Sequence, residues 1–440
     1  MDWLAIVGFV IFFVGLMVSI ALHEIGHLVP AKLFGVRVSQ YMVGFGKTIW
    51  SRRRGETEYG VKAIPLGGYV RMIGMFPPLD QSDPQRLRAS STGLVQNLVQ
   101  DARTAATEEV GPDDADRVFY RKPWWKKVIV MLGGPMMNVI LALVLAGSVL
   151  LTFGNPEKPI LEPTVGAVSE CVIDADENRT ECTDDDPVAP AAAADMRPGD
   201  EIVAVDGEQI TSWSKAQQVI RDLPSGPVDI EVIRDGEQLT LSPDIMVTAR
   251  PTLDSEPDDP TYEEVGFLGV VPTVVGYQTE DVGSVVAWSG SFITRTAEAM
   301  AKVPERMTAV WDAAFGGAER EADTPVSIVG AGRHGGDNVS TDALTAQEKI
   351  STFVLLLATF NMAIAIFNLV PLLPLDGGHV AGALWEGVKR AWSRVARRPE
   401  PRPVDVAKAL PLAYGVAVIL IGMSVLLIYA DIVNPIRLLE

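Results

Sequence analysis

The chain has 440 residues, 48% hydrophobic and 21% charged, with 56 acidic against 37 basic residues for a net charge of −19. A mean hydropathy of +0.20 at that charge content requires apolar and charged residues to occupy different stretches. These figures exclude a simple soluble domain, a disordered chain and, with a pI near 4.7, a nucleic-acid binder.

Residues 4–22 are apolar apart from Ser19 and reach the length of about 20 residues that a bilayer span needs. They do not read as a cleavable signal, because Met1-Asp2-Trp3 supplies no basic stretch and no small-residue cleavage site follows. The span ends in His23-Glu24-Ile25-Gly26-His27. On a helix, residues i and i+4 project from one face, so both imidazoles can reach one Zn²⁺ while Glu24 stands beside them to take a proton from water. Two structural histidines with an interfacial carboxylate are the plainer alternative; ionisable side chains at membrane depth favour a functional one.

Tyr41-Met42-Val43-Gly44-Phe45-Gly46 and Val61–Arg71 follow, with strand character broken by turn residues, and residues 83–109 read as a surface helix. The second span covers residues 128–153. Residues 154–350 hold 38 Asp or Glu against 13 Lys or Arg, whereas Arg52, Arg53, Arg54, Lys126 and Lys127 cluster before the second span. A second basic cluster, Lys389, Arg390, Arg394, Arg397 and Arg398, lies between the third span at 353–370 and the fourth at 412–429. Positive loops stay in the cytoplasm, which puts both termini and the acidic middle outside, across a plasma membrane crossed four times.

Cys171 and Cys182 both lie in the outer segment, where an oxidising compartment permits a disulfide; two free thiols or a metal pair are the alternatives. Residues 254–264 read as an acidic linker, and 284–311 as an amphipathic helix or pair of helices at the outer membrane face. The third span runs into Asn368-Leu369-Val370-Pro371-Leu372-Leu373-Pro374-Leu375-Asp376-Gly377-Gly378-His379. Its prolines must break the helix, and irregular backbone at this depth is tolerated only beside a cavity or packed protein. A catalytic zinc needs a third protein ligand, and Asp376 suits that role; His379 is its competitor, and helix capping is the alternative task for Asp376.

The His23-Glu24-x-x-His27 and Asn368-x-x-Pro371-x-x-Pro374-Leu375-Asp376-Gly377 motifs resemble the bacterial site-2 protease family of intramembrane zinc metalloproteases, in its actinobacterial single-PDZ form. Gly44-Phe45-Gly46 and Pro65-Leu66-Gly67-Gly68-Tyr69 look like its membrane-reentrant β elements, Gly133-Gly134-Pro135-Met136-Met137-Asn138 like its second-span motif, and Pro325-Val326-Ser327-Ile328 like a weaker one. The resemblance implies one Zn²⁺ per chain held by His23, His27 and Asp376, with Glu24 as general base. It implies substrate contacts from Asn368, Gly67, Gly68 and Tyr69. Expected partners are the bilayer and single-pass substrates such as trimmed anti-sigma factors and remnant signal peptides. Residues 198–241 resemble a PDZ core, departing from the common glycine at Asp195, with Val165–Val168 as a candidate groove edge.

The expected fold is therefore a polytopic α-helical membrane protein with four transmembrane helices, a membrane-reentrant β element and one extracytoplasmic α+β PDZ domain. Residues 1–35 form the first span, 36–126 a cytoplasmic loop with reentrant strands and surface helix, and 127–153 the second span. The PDZ domain takes 160–250, a linker with membrane-associated amphipathic helices 251–349, the third transmembrane region 350–392, a cytoplasmic loop 393–410 and the fourth span 411–430. The competing function is a non-hydrolytic PDZ-containing scaffold or zinc transporter. A transporter would want several intramembrane sites along a path, whereas this sequence concentrates them in one.

Overall fold

The computed structural model describes residues 3–77, 114–173, 182–183, 185–253, 261–317, 320, 324–341 and 344–436. The surface helix expected at 83–109 lies outside them. The chain divides into two compact units, Met1–Leu151 with Asp281–Glu440, and Thr152–Glu280.

The first unit opens with α1 (Trp3–Leu33), then β1 (Val38–Arg54), β2 (Thr57–Met72) and α2 (Trp124–Thr152). Along α1, Val10, Val14 and Val18 are exposed at a spacing of four while Phe12, Leu16 and Ser19 are buried, so one stripe is left for lipid and the other packs on protein. The two strands fold back on themselves: Met42 lies beside Tyr69 on one side and Gly60 on the other, which makes 38–43 central and 68–72 an outer edge. Tyr41 Oη donates to the Ala21 carbonyl at 2.8 Å and ties this sheet to α1.

The second unit holds β3 (Pro159–Val168), α3 (Pro190–Ala193), β4 (Glu201–Val205), β5 (Glu208–Gln209), α4 (Trp213–Asp222), β6 (Gly226–Pro227), β7 (Ile230–Arg234), β8 (Glu237–Leu241), β9 (Asp244–Pro251), β10 (Tyr262–Phe267) and β11 (Val270–Tyr277). One sheet runs β11-β3-β4-β7-β8 with β5 on β4, and a second runs β10-β9-β6. Ile202, Val205, Ile230, Val232 and Ile245 form its core under the buried face of α4, whose N-cap is Ser212. Asp195 takes φ 59°, a left-handed conformation that aspartate tolerates better than most residues. The structure joins Cys171 to Cys182.

The second unit extends beyond the boundaries expected for it. Residues 262–277 are not linker: β10 pairs with β9, and β11 pairs with β3, so this unit reaches Glu280 rather than ending at 250. The paired valines of β11 suit a half-buried pleated surface. Val165 is buried in the core and does not border the cavity of about 430 Å³ found here, which is lined by α4 residues Trp213 and Gln217 and by Gly266–Val270.

The first unit resumes with α5 (Val282–Trp311), α6 (Ile328–Ser340), α7 (Ala346–Leu369), α8 (Asp376–Val395) and α9 (Leu410–Val433). The amphipathic stretch is thus one continuous 30-residue helix. α6 was not expected as a helix, since four glycines lower its helix propensity; tertiary packing decides, because Gly335 and Gly336 admit α1 at Gly8 within backbone contact. By length and apolar content, α1, α2, α7 and α9 can each cross a bilayer.

Candidate metal centre

α1 carries His23 and His27 one turn apart, with Nε2 atoms 3.2 Å from each other. α7 ends at Leu369, the chain turns through Pro371 and Pro374, and α8 starts at Asp376. Asp376 Oδ2 lies 3.4 Å from His23 Nε2 and 3.3 Å from His27 Nε2. Asp376 is the first residue of α8, not its cap, so the capping alternative does not hold. Among the described residues, His23, His27 and Asp376 bring ligand atoms within 4.8 Å of one another, and His379 is not in that group.

Zinc with tetrahedral ligands at about 2.0–2.1 Å holds them about 3.3–3.4 Å apart, so these three atoms have the spacing of three of its corners. The Nδ1–H of His27 donates to the Val130 carbonyl of α2 at 2.8 Å, which leaves the Nε2 lone pair facing the other two ligand atoms. Two nitrogens and one carboxylate oxygen, with a fourth corner uncommitted, fit a catalytic zinc site.

Close approach of α2 gives the site its wall. A Cβ on Gly134 would overlap His27 Nε2 and stand 2.7 Å from His23 Nε2, so only a hydrogen fits there. Glu24 is 7% exposed and lies against the outer strand, where a Cβ on Gly68 would meet its Cγ at 2.8 Å and its Oε1 at 3.2 Å. Gly68 is therefore brought to Glu24. Neighbouring Gly67 has φ 109°, and Tyr69 stacks on Phe45 and donates to Gln40 Oε1 at 3.3 Å. Asn368 is half-buried in the last turn of α7.

Sequence reasoning missed the Val130 carbonyl, a backbone group with no side-chain signal, and the buried Asn361. Asn361 Nδ2 donates to Ser19 Oγ at 3.0 Å, one turn before His23, and locks α7 to α1. Ser19, the polar exception in the first apolar run, was the signal for that contact.

The profile of peptidase family M50 matches residues 11–398. The chain is 35% identical over 443 residues, 99% of each chain, to the zinc metalloprotease Rip1 of Mycobacterium bovis, and 33% identical over 447 residues, again 99% of each, to Rip1 of Mycolicibacterium smegmatis. It is 28% identical over 416 residues, 89% of each chain, to the metalloprotease MmpA of Caulobacter vibrioides.

Proposed function

This chain belongs to peptidase family M50 and is an intramembrane zinc metalloprotease, and from that premise we propose that it cuts the membrane-spanning segments of single-pass proteins at a centre built from His23, His27 and Asp376. The carrying observation is the triangle of ligand atoms, 3.2–3.4 Å on a side, with Glu24 beside it. Zinc, when bound, supplies a Lewis acid that makes water nucleophilic and polarises the scissile carbonyl. Glu24 accepts the proton of the attacking water and returns it to the departing amide nitrogen as the C–N bond breaks. Burial of Glu24 keeps bulk water from competing for that proton.

A substrate helix hides its carbonyls in internal hydrogen bonds and must extend before attack. The outer strand around Gly67, Gly68 and Tyr69 offers an edge for the extended segment, which would then pass beside Glu24; Asn368 supplies an amide to its backbone. Exposed Phe45, Ile49, Trp50 and Ile64 support reading the β1–β2 sheet as membrane-reentrant. Loop charges support termini and the second unit on the outside. That unit reads as a PDZ domain, with its cavity between α4 and Gly266–Val270 as the peptide groove. Trimmed anti-sigma factors and remnant signal peptides are the substrate classes this arrangement suits. The test is co-expression with candidate single-pass substrates: cleavage that disappears with Glu24→Gln supports the reading, and persistence of cleavage rejects it. A scaffold or transporter would show no cleavage from either form.

A further inference from the structure

Behind the metal centre, α2 meets α8 through charges that the proposed chemistry does not use. Lys127 Nζ donates to Glu386 Oε2 at 2.7 Å, and the two side chains are only 7% and 1% exposed. Glu386 Oε2 also accepts from the Val404 backbone N–H at 3.4 Å. Arg390 Nη2 stands 2.9 Å from Glu386 Oε1, and Arg390 Nη1 pairs with Glu400 at 2.9 Å. Two cations thus face two carboxylates, and the most enclosed member is Glu386. Removing such charges from water is costly, and apolar side chains of similar volume would fill the space without that cost. The pair therefore calls for a role other than filling.

Its position supplies one. Lys127, Val130 and Gly134 follow each other at three and four residues on one face of α2, and the last two fix His27 and wall the histidines. Asp376, His379, Ala383 and Glu386 follow the same spacing on one face of α8, and the last three line a small cavity with Lys127. The helix is interrupted between Leu369 and Asp376, and the intervening turn packs on the start of α8 at Gly377 and Gly378. The Lys127–Glu386 contact holds α8 against α2 about two to three turns farther along the same helix. We propose that the buried Lys127–Glu386 ion pair sets α8 in register on α2 and so holds Asp376 at the two histidines, making Lys127 and Glu386 positioning residues of the metal centre. This rests on the reading of Asp376 as a ligand.

The experiment uses the full chain in detergent, with zinc affinity measured against a chromophoric chelator and the visible spectrum recorded after cobalt substitution. Lys127→Met and Glu386→Gln should each weaken zinc about tenfold or more and change the cobalt bands, as a small displacement of a ligand by a change remote from the site does. Lys127→Arg, which keeps the charge, should stay within a few-fold of the parent. A loss of stability alone would leave affinity and spectrum of the folded fraction unchanged. Should Lys127→Met fail to accumulate, Glu386→Gln decides, since it keeps the shape of the side chain. Parental affinity and spectrum in Glu386→Gln, beside weakened zinc in Asp376→Asn, would overturn the brace and leave the ligand reading standing. So would a Lys127→Arg protein as impaired as Lys127→Met. Unchanged binding in Asp376→Asn would sink the ligand reading itself, and the brace with it.

Discussion

The two units use their buried polar groups differently: in one they join helix to helix, in the other they lie at the margins of an apolar core. In the unit with the metal centre, Asn361 pairs with Ser19 across 342 residues, Lys127 with Glu386 across 259 and Arg320 with Asp431 across 111. In Thr152–Glu280, buried Asp200 pairs with Arg234 at the turn before β4 and buried Asn155 pairs with Glu280 between the unit's two ends, and both lie outside a closed apolar core. The difference follows from the solvent. An apolar helix surface gains little by leaving lipid for another apolar helix, so close glycine contacts and polar pairs set helix against helix. The second unit is ordered by removing apolar area from water, through hairpins such as β7–β8 and through the long-range pairing of β11 on β3. Substitutions at a few polar or glycine positions should therefore undo chemistry in the first unit, whereas the second should respond to core volume.

The sharpest separation comes from Glu24→Gln. Hydrolysis of a co-expressed single-pass substrate should fall by about 10²- to 10⁴-fold, the range for losing a general base, while bound zinc, measured by mass spectrometry of the metal, stays at the parental level. Loss of zinc with the activity would move Glu24 from the chemistry into the packing.

Gly134→Ala comes next. The added methyl has no room beside the two Nε2 atoms, so it must push α2 from α1 or turn an imidazole. Zinc affinity should drop about tenfold or more, with the four apolar helices still inserted. Parental affinity would show that the α1–α2 crossing is softer than the comparison of the two units holds.

How far the sequence carried these expectations differs between the units for the same reason. The four spans were legible because apolar length alone announces them, and His23, Glu24 and His27 because their spacing lies within one helix. Asp376 was reached through the prolines before it and the family resemblance, since nothing local links it to His27. Lys127 was counted only as a loop charge, because a partner 259 residues away leaves no mark in its own window. α6 was hidden by its glycines, which weaken a helix unless a neighbour such as Gly8 needs the space. In the second unit, the β7–β8 hairpin was legible at Asp235-Gly236, while β10 and β11 were obscured by the acidic, proline-containing stretch before them.

Ile230→Ala tests the other half of the comparison. Ile230 is fully buried, and truncation should cost about 2–5 kcal/mol locally, read as lost amide protection in β4, β7 and β8. Zinc affinity of the same protein should be unchanged. A matching loss of zinc would mean that the units are not energetically separate.

The smallest expected effect concerns acid. Asp200 is 1% exposed and accepts from Arg234 Nε and Nη2, each at 2.7 Å, and from the Arg197 backbone N–H at 2.8 Å. The Arg234 contact above all holds its carboxyl below the ordinary carboxylate range, against the opposing pull of burial. A group whose pKa is lower in the folded state contributes stability above its unfolded value, near 3.9, and loses it as pH falls through the folded value. Amide protection in β4 and β7, corrected for intrinsic exchange, should therefore be level from pH 7 to about 5 and decline below about 4. Asp200→Asn should start from lower protection at pH 7 and show a shallower acid decline, because the titrating group is gone. If the variant declines as steeply as the parent, other carboxylates govern the acid response. The Arg234–Asp200 contact then orders the turn before β4 without setting how the unit answers to pH.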